Sequence, residues 1–193
     1  MQLDDILEQY PKPAALKNGK RITLRPLKEG DEKQFHQFFC AIPETERLLF
    51  KHRVTDAKVI RGWCRKIDYG KILPLVALDG KAIVADASLH QQLGGWKRHI
   101  GRVSVVVHPQ YRGKGIARLL LQNLIYIARN IGLERLEAEF MEEQKSALYV
   151  FSDLGFQKLI RLPDYVKDMQ AITHTYVLMG RTLITDEEFA GAN

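Results

Sequence analysis

The chemistry of this chain is concentrated at Arg112-Gly113-Lys114-Gly115, with Arg118 close behind. Full positive charge stands beside glycines, which let backbone N–H groups approach an oxyanion closely. A helix starting there has first amides without internal partners, and its dipole adds partial positive charge. Such a set suits a phosphate or pyrophosphate. The same residues would also serve as an ordinary strand-to-helix turn with a solvated basic rim. Two other phosphate sites are excluded. No Gly-Lys-Ser/Thr ending is present, and Arg118 stands where a dinucleotide fingerprint needs its third glycine.

The flanking elements put this turn where it is wanted. Val103, Val105, Val106 and Val107 read as a buried strand, because β-branched residues suit the pleat and Pro109 cannot carry the ladder on. From Gly115 onward, Ile116, Leu119, Leu120, Leu124, Ile127 and Ile131 recur at helical spacing, and Gly132 supplies the stop. The next strand, Leu-Glu-Arg-Leu-Glu-Ala-Glu-Phe-Met, turns Leu136, Ala138 and Phe140 to one face and Glu137, Glu139 and Met141 to the other.

From Val103 to Ala117 the chain resembles motif A of the GCN5-related N-acetyltransferases, the GNAT family. That signature is Arg or Gln, two residues, Gly, one residue, then Gly or Ala, and Arg112, Gly115 and Ala117 match it. Downstream, Q-K-S-A-L-Y-V-F-S-D-L-G-F is similar to a later family motif. Ala147, Gly155 and Phe156 match, while Gln144 replaces a frequent Asn and Phe151 a frequent Tyr. L-R-P-L ahead of Gly30-Asp31 is similar to the family's first strand and turn, so the likeness runs roughly from Arg21 to Gly180.

The resemblance implies acetyl-CoA as co-substrate and transfer of its acetyl group to a primary amine by direct attack. The amides of Arg112, Gly113, Lys114, Gly115, Ile116 and Ala117 would grip the pyrophosphate. The backbone of Val105, Val106 and Val107 would line the pantetheine arm and polarise the thioester carbonyl, with Gln144 and Phe151 completing the cofactor site. Glu139, five residues before Gln144, resembles the catalytic glutamate of ribosomal-protein N-terminal acetyltransferases and is the candidate base. The alternative for Glu139 is a solvated strand glutamate paired with Arg135 or Arg102; Glu137 and His108 are the reserve bases. Phe151 stands where many members carry a Tyr that protonates the departing thiolate, so no side-chain acid is expected. Tyr149 lies about 200° round the helix from it and should point elsewhere.

Composition bounds the remainder. The chain has 193 residues, 46% hydrophobic and 27% charged, which fits one globular domain. A lead-in helix and linker are expected over 1–19, the acetyltransferase domain over 20–182 and a tail over 183–193. The strand and helix order implies an α/β fold with a twisted, mostly antiparallel mixed sheet of six or seven strands and helices on both faces. Asp31 and Thr55 or Asp56 read as helix caps, Asp79-Gly80 as a hairpin turn, and Pro163–Ala171 as a loop. Cys40 and Cys64 read as buried free thiols of a cytoplasmic protein, and no stretch predicts a membrane span. The net charge of +6 does not by itself indicate nucleic acid, since a polyanionic cofactor accounts for part of it. A homodimer stays open. Asp86, His90, His99 and His108 lack metal-ligand spacing and read as structural or solvated, so no metal is expected. The acceptor is a protein lysine, a protein N-terminus or a small amine, with Glu44, Glu46, Asp164 and Asp168 in the acceptor loops. A coenzyme-A-binding module without chemistry is the alternative function.

Overall fold

Alternation in the central strands, interrupted by one bulge at Val84, sorts the core into two layers. Leu73, Leu75, Ala77, Ala85, Ala87 and Leu89 bury one face of the sheet, while Val76, Leu78 and Ile83 bury the other. The computed structural model describes residues 2–183. They form α1 (Leu3–Leu7), β1 (Lys12–Ala15), β2 (Arg21–Pro26), α2 (Glu32–Cys40), α3 (Glu44–Arg47) and α4 (Ala57–Arg65). Next come β3 (Ile72–Asp79), β4 (Ala82–Gln91), β5 (Ile100–Val107) and α5 (Ile116–Asn130). The chain closes with β6 (Arg135–Met141), α6 (Lys145–Asp153), β7 (Gln157–Lys167) and β8 (Thr173–Thr182).

These strands make one eight-stranded sheet in the order β1-β2-β3-β4-β5-β6-β8-β7. Every pairing is antiparallel except β5 with β6. Helix α5 lays Ile116, Leu120, Leu124 and Ile127 on one face, together with Ile6 of α1 and Phe151 of α6. Helices α2 and α4 cover the other face with Phe35, Phe38, Phe39, Ile60 and Cys64. The expected class, with helices on both faces, is what the chain forms.

Several local readings need correction. The eighth strand, β1, lies in the stretch read as a linker, where Pro13 pairs with Thr23 at the sheet edge; an edge tolerates the missing N–H. Strand β7 runs through Pro163 to Lys167, absorbing the prolyl stretch in a bulge between Leu162 and Val166, so the expected loop shrinks to a turn. Asp31 begins α2, but its carboxylate accepts from Arg25 (2.6 and 2.8 Å) and from Lys28 N–H instead of capping. Asp56 does cap α4, accepting from Lys58 N–H at 2.8 Å. Cys64 is buried and Cys40 is exposed. Leu183 is buried against the main core, and residues 184–193 of the expected tail lie outside the described residues. Among the described residues no helix is long and apolar enough to cross a membrane.

Candidate active site

The glycine turn is a rigid helix entrance. Gly113 and Gly115 have φ of +72° and +87°, a region that residues with a Cβ rarely adopt, and Gly115 is the N-cap of α5. A Cβ at Gly115 would also meet the Lys17 side chain at 3.5 Å. Burial of the apolar stripe of α5 fixes the direction in which its first amides point. The neighbouring cations are engaged within the protein. Arg112 forms a bidentate pair with Glu46, both contacts at 2.7 Å, and its Nε donates to Val107 O at 3.1 Å. Lys114 donates to Gln110 O at 2.7 Å and sits over the Tyr111 ring, while Arg118 pairs with Asp153.

Upstream of this turn the sheet splits. Strands β5 and β6 pair only from Ile100↔Arg135 to Arg102↔Glu137. Gly101 lies in the middle of this short pairing, where a Cβ would press on Leu89, Leu133 and Leu136 at 2.8–2.9 Å. Past the pairing β5 stays with β4 as far as Val107, and β6 stays with β8 as far as Met141. The Val103–Val107 edge facing β6 therefore has no strand partner among the described residues, leaving backbone donors and acceptors along it.

A cavity of about 810 Å³ opens from this split under α2 and α4. Its apolar wall includes Phe35, Phe39, Phe50 and Trp63, and its polar floor includes Asp86, Ser88, His90, Arg102, Ser104 and Glu139. Glu139 meets Lys51 Nζ at 2.7 Å and Arg102 at 3.4 Å, and accepts from Tyr176 Oη at 3.2 Å. Burial pulls its carboxyl up, but Lys51, Arg102 and Tyr176 together hold it below the usual glutamate range. The Tyr176 hydroxyl is pushed up to about 12, by burial first and then by Glu139. His90 is held below the ordinary histidine value by burial, then by Arg102 and Lys51.

The residues singled out in the sequence fall into three groups. Val105, Val106, Glu139 and Gln144 line the cavity, and Gln144 Oε1 fixes the start of α6 by accepting from Met141 N–H at 2.9 Å. Arg112, Gly113, Lys114, Gly115, Ile116 and Ala117 form the turn and first helical positions at the end of β5, next to Val107. Phe151 belongs to neither. It is fully buried between Phe140 and Phe156, with ring centroids at 4.9 and 5.0 Å. Tyr149 points outward and is 73% exposed. Of the reserve bases, Glu137 pairs with Lys97 at 3.7 Å, and His108 Nδ1 accepts from Gln110 N–H outside the cavity. Of the four acidic residues placed in acceptor loops, Glu46 holds Arg112, and Asp168 holds His174 at 3.2 Å. Trp63 packs against the Phe35–Phe39 cluster and also lines the cavity. Tyr176, Ser88 and the Lys51 contact with Glu139 were missed, and Asp86 and His90, read as structural or solvated, line the cavity; polar residues alternating through an apolar strand were visible in β4.

Residues 33–156 match the profile of the Acetyltransferase (GNAT) family. The chain belongs to that family. L-amino acid N-acyltransferase MnaT of Escherichia coli is 33% identical over 79 residues, covering 38% of this chain and 46% of that relative, so the match spans about half of MnaT. Acetyltransferase PA5475 of Pseudomonas aeruginosa is 24% identical over 147 residues, covering 74% of this chain and 78% of that protein. The GNAT domain of S. lividans PAT superposes with a TM-score of 0.74 at 17% identity, covering 89% of this chain and 96% of that one. The yncA protein of Salmonella typhimurium, solved with its cofactor acetyl-CoA, gives 0.72 at 21% identity, covering 85% and 95%. At those identities the two structures speak for the fold.

Proposed function

We propose that this protein transfers an acetyl group from acetyl-CoA to the primary amine of a small acceptor with an apolar body, by direct attack of the amine on the thioester. The observation that carries the reading is the continuous path from the positive-φ glycine turn, along the unpartnered edge of β5, into the cavity. The helix entrance suits the pyrophosphate, and an extended pantetheine arm suits a strand edge with free N–H and C=O groups. The cavity lies within the range for small-molecule sites. Its aromatic wall favours an acceptor with an apolar portion, and the MnaT relative is named for L-amino acids.

Glu139 contributes charge in this reading. It stays ionised and already holds the ammonium of Lys51 at 2.7 Å, so its carboxylate suits an acceptor ammonium that displaces Lys51. Phe151, buried in the core, offers no proton to the departing thiolate; a thiol of pKa ~8.5 leaves tolerably near neutral pH with water as its acid. A coenzyme-A-binding module without chemistry is the competing reading, favoured by that missing acid.

Incubation with acetyl-CoA and a panel of amines decides between them. The panel holds apolar L-amino acids, a lysine peptide and a peptide with a free N-terminus, and the readouts are thiol release and acceptor mass. Acetylation of the amino acids in preference to both peptides is expected. Coenzyme A binding with no thiol release from any amine would establish the binding module.

A further inference from the structure

The cavity floor contains a carboxyl group that the reading above leaves unused. Asp86, Ser88 and His90 alternate on β4 toward the α2–α4 side, opposite Val106, Ser104 and Arg102 of β5 in register. All of these residues line the cavity. Asp86 is 7% exposed, one of two buried charged or polar residues among those described. Its Oδ2 accepts from Ser88 Oγ at 3.4 Å, and its Oδ1 is buried without a hydrogen-bond partner. An unpaired carboxyl kept in a central strand is costly, and a purely structural site would have no use for it.

We propose that Asp86 is the proton acceptor for the transfer, reached from the acceptor amine through Ser88. The proposal rests on the acyltransferase reading. As the ammonium approaches, Ser88 Oγ takes one of its protons and passes its own hydroxyl proton to Asp86 Oδ2. This leaves a neutral amine and a neutral Asp86. The amine lone pair forms the new C–N bond, the C–S bond breaks, and the thiolate takes the second nitrogen proton, directly or through water. Asp86 then returns its proton to solvent, so the net products are the amide, the free thiol of coenzyme A and one proton.

The surroundings of Asp86 hold few charged groups. Beside Ser88 on its own strand stands His90; Cys64 of α4 faces it across the core, with Asp31 and Glu32 at the start of α2 also within reach of that thiol, and Arg102 of β5 lies by His90. The β3 neighbour is Val76. Lys51 and Glu139 lie within electrostatic reach of His90 and line the same cavity. Among the described residues Asp86 therefore has no cation paired with it, and burial pushes its carboxyl up to about 7, with only Ser88 opposing. A base with that affinity is matched to neutral pH, whereas the cation-bound Glu139 is a weaker one.

The test is the pH dependence of kcat/KM with the best amine of the panel, for the wild type, Asp86→Asn and Ser88→Ala. Acetyl-CoA affinity from calorimetry and thermal melting show which variants are folded and loaded. The expected result is an acidic limb near pH 7 in the wild type that vanishes in Asp86→Asn. The variant should lose ~10²-fold at pH 7 with unchanged acetyl-CoA affinity, and Ser88→Ala should lose less because water can replace the hydroxyl. In parallel, the infrared carboxylic-acid band of the acetyl-CoA complex should titrate near pH 7 in the wild type and be missing from Asp86→Asn. An active Asp86→Asn that retains the wild-type limb overturns the proposal and leaves the acyltransferase reading standing, as does a band already lost when the pH is raised to 5. Wild type that acetylates no amine overturns the acyltransferase reading and the relay with it.

Discussion

Replacing Asp86 by Asn should make the protein more stable in alkaline solution while making it a poorer enzyme. Burial raises the native carboxyl to about 7, against an unfolded value near 3.9. The sign follows from proton counts: between those values the native state holds a proton that the unfolded chain has lost, so stability falls as pH rises. The contribution is fully present below about pH 4 and lost on passing about pH 7. At about 1.36 kcal/mol per pH unit, the wild type forfeits up to ~4 kcal/mol across that interval. Relaxation and water entry reduce this, and about half is a fair expectation. Asparagine keeps the shape and does not ionise. A chain of this size gains about 2–4 °C in Tm per kcal/mol. Scanning calorimetry should therefore find Asp86→Asn within about 2 °C of wild type at pH 5 and higher by about 4–8 °C at pH 8.5. An equal difference at both pH values would show that Asp86 ionises normally, and the reasoning from its burial would fail.

Three further outcomes follow from the contacts around the cofactor turn and the cavity. Gly115→Ala forces a Cβ into φ +87° against Lys17, and isothermal calorimetry should show coenzyme A affinity weakened ~10-fold or more; an unchanged Kd would separate this turn from the pyrophosphate. Glu46→Gln releases Arg112 from an exposed pair worth at most about 1 kcal/mol, so coenzyme A should bind several-fold more tightly, whereas Arg112→Ala should weaken it several-fold. If neither substitution moves Kd, Arg112 serves only to fasten the α3 segment. Glu139→Gln should raise the acceptor KM ~10-fold and leave the acidic limb of kcat/KM in place; loss of that limb with a ~10²-fold fall in kcat would return the proton acceptor to Glu139.

The cofactor end of the site was legible because local rules fix it. A valine strand, two glycines at positive φ and a helical stripe each carry their meaning within a few residues, and the structure assembles them in that order. Alternation likewise assigned Leu136, Ala138 and Phe140 to the core and Glu139 to the opposite side. The cavity was harder, because its walls come from distant segments. Lys51 meets Glu139 across 88 positions, and Arg112 meets Glu46 across 66. No spacing rule reports such pairs. Arg102 was foreseen as a partner for Glu139. Lys51 and Tyr176 could be found only once the α3 segment and β8 were folded beside β6. Polar residues in β4 gave a signal of the right period, but the same pattern describes a strand with one solvated face. Only the burial of Asp86 under α2 and α4 tells the two apart.

Glu139 and Asp86 stand on one floor with their proton affinities driven apart, the first down by cations and the second up by isolation. Such a divergence assigns roles: one group holds charge and the other exchanges protons. It also makes the division depend on occupancy. An acceptor ammonium drawn in by Glu139 brings positive charge nearer to Asp86, and an opposite charge nearby favours the ionised carboxyl. The acceptor thus prepares its own base. The limb of kcat/KM reports the free enzyme and that of kcat the loaded complex. The kcat limb should therefore fall at lower pH than the kcat/KM limb, by about one unit for a charge within ~4–6 Å. An uncharged acceptor such as a hydroxylamine ether should leave the two limbs together. Coincident limbs with the ammonium acceptor would put that charge beyond reach of Asp86, and a proton could not then pass between them through a single hydroxyl.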